Sequence, residues 1–124
     1  MTHRQRLGGI VIDCQGDLAE AARFWSAALG RESKDEGDGR YVSLSADGAD
    51  PYWVVQKVEH APRVHLDLET DDKEAECLRL SALGAREVSR IKGWIVMEAP
   101  TGHRFCLVGP DDPEALARDG REFE

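Results

Sequence analysis

The strongest constraint on this chain is a gapless internal repeat. Val11-Ile12-Asp13-Cys14 aligns with His65-Leu66-Asp67-Leu68, and the match continues with Asp17 on Asp71, Glu20 on Glu74, Ala21 on Ala75, Ala28 on Ala82 and Leu29-Gly30 on Leu83-Gly84. The offset, from Val11 to His65, is 54 residues. That is longer than common solenoid periods and it occurs only twice. Two copies are too few for a stacked array, so the repeat implies one domain built from two similar halves. A duplicated fold of this kind is expected to place its chemistry where the halves meet.

Each half predicts the same order of elements. Leu7 to Cys14 alternates as a strand, and Asp17 is placed to cap a helix whose apolar residues Leu18, Ala21, Ala22, Trp25, Ala28 and Leu29 recur at helical spacing. Gly30 supplies the stop. A short strand near Glu32 to Asp35, a turn over Glu36 to Gly39, a strand over Tyr41 to Ser45, a turn over Ala46 to Pro51 and a strand over Tyr52 to Val58 follow. The second half predicts a strand over Arg63 to Glu69, a helix capped by Asp71 or Asp72 and stopped by Gly84, and strands over Glu87 to Ile91, Trp94 to Glu98 and Arg104 to Val108. His60-Ala61-Pro62 links the halves. The acidic tail after Pro110 reads as a loose turn or short helix. Periodicity alone leaves both a ferredoxin-like sandwich and a pair of curved sheets open.

Composition narrows the function classes. A net charge of -8 argues against nucleic acid, because phosphate binding relies on clustered Lys and Arg. No apolar run is long enough to span a membrane, and Met1 to Arg6 is polar with no signal-peptide core behind it. Cys14, Cys77 and Cys106 lack CxxC spacing and sit in apolar surroundings, so they read as buried, inert thiols. A cytoplasmic protein is expected.

Three stretches in order carry a family resemblance: Gly16-Asp17-Leu18 through Phe24-Trp25 to Leu29-Gly30, then Arg63-Val64-His65-Leu66-Asp67-Leu68, then Pro100-Thr101-Gly102-His103-Arg104-Phe105-Cys106-Leu107-Val108. Together they resemble the vicinal oxygen chelate superfamily, which includes glyoxalase I, extradiol dioxygenases and bleomycin-binding proteins. The nearest likeness is to small bacterial glyoxalase-like domains. The resemblance implies an α+β fold of two tandem βαβββ modules forming a curved mixed sheet around a cavity. It assigns the first module to about residues 7–58, the second to about 63–108 and a tail to 109–124, all within one domain (1–124). It also implies a homodimer.

Metal-using members of that superfamily carry ligands on the first and last strands of each module. Residue by residue, the resemblance puts these positions at Val11, Gln56, His65 and Cys106. Val11 cannot ligate, Gln56 is a neutral donor, and Cys106 stands where the family has a carboxylate. The candidate metal donors Gln56, His65 and Cys106 fall short of what a tightly held divalent ion wants. No cofactor is therefore expected, a divalent metal being the alternative. The expected ligand-binding residues are Tyr52, Val54 and Gln56, which share one strand face, with His65, Asp67 and Cys106. His65 and Asp67 are the candidate catalytic residues, because an imidazole beside a carboxylate can move a proton. Asp13, the mate of Asp67, is expected to bond backbone or an arginine. Two function classes follow. One is a small-molecule-binding protein, suited to a cationic or aromatic ligand. The other is a metal-dependent lyase or isomerase acting on a small oxygenated substrate.

Overall fold

A computed structural model describes residues 2–46 and 50–124. Residues 47–49 of the turn expected at Ala46 to Pro51 lie outside the described residues. The elements are β1 (His3–Cys14), α1 (Leu18–Leu29), β2 (Ser33–Asp35), β3 (Tyr41–Leu44), β4 (Tyr52–Lys57), β5 (Arg63–Thr70), α2 (Lys73–Ala82), β6 (Arg86–Ile91), β7 (Trp94–Glu98), β8 (Arg104–Val108), α3 (Pro113–Asp119) and β9 (Arg121–Phe123). Strand, helix and three strands therefore occur twice in succession, in an α+β fold.

Local chemistry sets the boundaries. Asp17 accepts from the Glu20 amide at 3.1 Å, and Gly30 closes α1 in the left-handed region at φ 65°. For α2 the cap is Asp72, which accepts from the Ala75 amide at 3.0 Å. Asp71 instead accepts from the Arg4 amide at 2.8 Å. Lys92 and Gly93 both adopt positive φ between β6 and β7, as a two-residue hairpin turn demands.

Chain contacts divide the molecule into two compact units, residues 9–65 and residues up to 8 together with 66–124. In the unit of residues 9–65 the strand order is β2-β3-β4-β1, with β1 parallel to β4 and the other pairs antiparallel. Helix α1 packs on β3 and β4. Ile12, Val42, Leu44 and Val55 are buried on the strands, and Ala22 is buried on α1.

In the other unit the order is β6-β7-β8-β5, again with one parallel pair, β5 and β8. Its core gathers Cys77 of α2 with Ile95, Met97 and Leu107. The first residues of β1 pair with β9, His3 opposite Phe123. Ala115 and Leu116 of α3 are buried.

Two features differ from the sequence expectation. Strand β1 begins at His3 rather than Leu7, and the tail, after the expected short helix (α3), adds the strand β9. Both follow from buried carboxylates. Glu76 of α2 is 0% exposed and accepts from His3 Nε2 (2.7 Å), Gln5 Nε2 (2.9 Å), and Arg79 Nε and Nη2 (2.7 Å each). The Arg79 guanidinium in turn lies 3.6 Å from the Phe123 ring centroid, which seats β9. Glu69, 1% exposed, accepts from Arg6 Nε at 2.8 Å and from the Asp111 amide at 3.2 Å. A Cβ at Gly8 would stand 2.4 Å from the Glu69 Cγ, so this carboxylate needs the glycine. Polar residues of β1 thus point inward, a pattern that apolar periodicity does not register.

Burial pushes the Glu76 carboxyl up, but bonds from Arg79, His3 and Gln5 outweigh it and leave the group below the usual carboxylate range. A lowered folded-state value means that its stabilisation is fully present above the unfolded carboxylate pKa of about 4.3 and is lost as pH falls through the folded value. Glu76→Ala is expected to cost about 3–5 kcal/mol in urea denaturation at neutral pH. Glu76→Gln should show a shallower loss of stability than the parent chain on acidification below about pH 4.

Candidate functional site

Parallel pairing of β1 with β4 builds a mixed face in the unit of residues 9–65. The register sets Gly9 opposite Tyr52, Val11 opposite Val54 and Asp13 opposite Gln56, and β3 adds Ser43 opposite Val54 and Tyr41 opposite Gln56. Partners in register point to the same side. Tyr52, Val54 and Gln56 are therefore neighbours on one face, and all three are half-buried. Their row-mates differ in character. Val11 is only 4% exposed and apolar, so that part of the face holds no donor. The row through Tyr41, Gln56 and Asp13 is polar, and Gln56 Nε2 donates to the Tyr41 hydroxyl at 3.3 Å.

Gly9 is what lets Tyr52 lie on this face. A Cβ there would meet the ring at 2.0 Å from Cε1 and 2.3 Å from Cδ1. The aromatic ring covers the glycine, where any side chain would displace it.

His65, on β5, has its Nδ1 2.9 Å from Asp13 Oδ2. A carboxylate only accepts, so Nδ1 carries the proton. Asp13 is 2% exposed, and its partners include the expected arginine, Arg63 Nε at 3.6 Å, with the unexpected imidazole closer. The sequence singled out His65, but not its pairing with Asp13. Asp67 follows His65 by two residues on the same face of β5 and stands opposite Cys106 of β8. Along this strand pair His65, Asp67 and Cys106 each offer one metal-ligating atom, and the three atoms lie within 4.8 Å of one another.

The thiols fall into two settings. Cys77 is buried, whereas Cys14 and Cys106 are half-buried. Burial pushes the Cys14 thiol up, helped by Asp13, and burial with Glu87 does the same for Cys77. Both stay protonated and unreactive at neutral pH. Trp25 meets Phe24 edge-on at 5.0 Å between ring centroids. Trp94 is half-buried at the start of β7, and His103 is an exposed turn residue 2.8 Å from the Thr101 hydroxyl.

Comparisons place this geometry among known proteins. A family model described as a glyoxalase-like domain matches residues 9–108. No curated protein matches the chain. Among solved structures, methylmalonyl-CoA epimerase from Mycobacterium tuberculosis is similar at 20% identity and a TM-score of 0.61, over 90% of this chain and 91% of that one. A hypothetical protein from Bacillus halodurans matches at 9% identity and a TM-score of 0.62, over 87% and 96%. Homoprotocatechuate 2,3-dioxygenase from Brevibacterium fuscum, solved with 3,4-dihydroxyphenylacetate, matches at 19% identity and a TM-score of 0.58. There 86% of this chain covers 36% of the dioxygenase, so the chain spans about a third of that enzyme's length. At these identities the likeness is one of fold. Among the described residues, no helix is long and apolar enough to cross a membrane.

The contact of Tyr52 with Gly9 yields a direct test. Gly9→Ala should destabilise by about 1–3 kcal/mol, as overpacking does. In combination with Tyr52→Ala the added cost should vanish, which a double-mutant cycle on denaturation midpoints measures.

Proposed function

The chain belongs to the glyoxalase-like domain family of the vicinal oxygen chelate superfamily, and on that premise we propose that it is a small-molecule-binding protein without a complete catalytic metal site. The observation that carries this reading is Val11. At the first of the four ligand positions implied by the family, a buried apolar side chain stands in register with Val54. At the second, the Gln56 amide is engaged with the Tyr41 hydroxyl. What that face offers instead is an aromatic ring, two valines and a polar row, a mixture suited to a planar ligand with hydrogen-bonding groups. The net charge of -8 is compatible with a cationic one. The same reading takes residues 1–124 as one domain, with modules at about 7–58 and 63–108 and a tail at 109–124, acting as a cytoplasmic homodimer.

The group of His65, Asp67 and Cys106 favours a second reading, a metal-dependent lyase or isomerase. One nitrogen, one oxygen and one sulfur donor fit a borderline ion such as zinc with a coordination position left open. Asp13 on the other ring nitrogen of His65 is the kind of outer bond that orients a ligating histidine. A bound metal would supply Lewis-acid polarisation of substrate oxygens. In either reading Asp13 holds His65 by its Nδ1, and Tyr52 and Gln56 contact the small molecule.

Elemental analysis separates the two. Protein dialysed against zinc and then buffer should carry well below one equivalent of metal, and His65→Ala should leave that content unchanged. Stoichiometric metal that is lost in both His65→Ala and Cys106→Ser would overturn the metal-free reading.

A further inference from the structure

A cleft of about 370 Å³ opens where β1 ends, walled by Ile12, Trp25, Pro62 and Val64 and by the polar residues Asp13 and Arg63. Its apolar side is formed by Trp25 of α1 with Ile12, which alternates with Val11 and Asp13 onto the face of β1 away from Tyr52 and Val54. It meets the ligand face described above at Asp13, the row-mate of Gln56.

The polar wall holds an anomaly. The Asp13 side chain is 1% exposed, and its Oδ2 faces His65 Nδ1 at 2.9 Å, Arg63 Nε at 3.6 Å and His60 Nε2 at 3.9 Å. Its Oδ1 has no hydrogen-bond partner among the described residues. Buried acceptors are rarely left unpaired, and an orphaned one beside a cleft points to a donor that the chain itself does not supply. We propose that the cleft is a ligand site for a small neutral aromatic molecule bearing a hydroxyl, which donates to Asp13 Oδ1.

Each part of that description has its own cause. The hydroxyl answers the orphan acceptor, and an O–H bond to a carboxylate is short and charge-assisted. The ligand is neutral because Arg63 and the His65 N–H already face this carboxylate, so an ammonium group would bring surplus positive charge beside a guanidinium. The aromatic body answers the Trp25 ring and the Pro62 and Val64 side chains. Oδ1 is closed to solvent as the side chains stand. Binding therefore requires a wall side chain to move, and Arg63, with 43% of its side chain exposed, is the wall residue nearest the carboxylate's other oxygen.

Phenol and anisole test this on the intact chain, since they share a ring and differ in the O–H donor. In amide- and indole-detected NMR titrations, phenol should shift the Trp25 indole and the amides of Asp13, Cys14 and Val64. Its Kd should be at least about tenfold below that of anisole, the ratio expected when a buried acceptor is satisfied in one complex and not in the other. Asp13→Asn keeps an acceptor for His65 and sets an NH2 group where Oδ1 was, so the preference for phenol should disappear. Should that variant fail to fold, the comparison on the parent chain decides alone. Equal binding of the two probes, shifts confined to other residues, or no binding by either would overturn the proposal, the last leaving water as the partner of Oδ1.

Discussion

A carboxylate can be buried only where donors surround it, and much of this molecule is arranged around three that are. Glu76, Glu69 and Asp13 are each at most 2% exposed. Strand β1 serves all three: His3 and Gln5 donate to Glu76, Arg6 donates to Glu69, and Asp13 is its own residue. Breaking one of these sets would leave an uncompensated charge in low dielectric, which costs far more than the pairing itself returns. The polar side chains of β1 therefore fix how its ends are held, while its apolar ones only fill the layer beneath α1. Arg79, stacked on Phe123, extends the same constraint to the last strand.

The two halves share a scaffold and differ at each position that could carry chemistry. Val11 is buried and inert where its mate His65 is a hydrogen-bonded imidazole. Asp13 is sealed against that imidazole, whereas its mate Asp67 is half-buried opposite Cys106. Gln56, at the end of one module, bonds a tyrosine; Cys106, at the end of the other, joins a group of potential ligands. Duplication preserved the parallel pairing of first and last strands in each half, and with it the register that aligns these residues. Such pairing positions side chains without dictating what they do.

Much of the fold was legible because it rests on local rules. The repeat, the Asp17 cap, the Gly30 stop and the Lys92-Gly93 turn each depend on a few neighbouring residues, and the common face of Tyr52, Val54 and Gln56 follows from a period of two. The early start of β1 and the strand at Arg121 to Phe123 were not legible, because they depend on His3, Gln5 and Arg79 converging on a carboxylate some seventy residues from β1. At the site, Asp13 has the arginine expected beside it, Arg63 at 3.6 Å, but its closer imidazole partner was not legible, since nothing local couples residues 52 positions apart. Asp67 stands with His65 and Cys106 among the potential metal ligands because cross-strand register sets it opposite Cys106.

The central claim is that this glyoxalase-like scaffold holds a small-molecule face and not a complete metal centre. Diffraction data collected on both sides of the zinc absorption edge, from crystals grown with zinc and no chelator, test it most directly. The account predicts no anomalous peak near His65, Asp67 and Cys106, with Val11 and Val54 still closing the face beside Tyr52. A full-occupancy peak bonded to the His65 ring, Asp67 and Cys106 would contradict it.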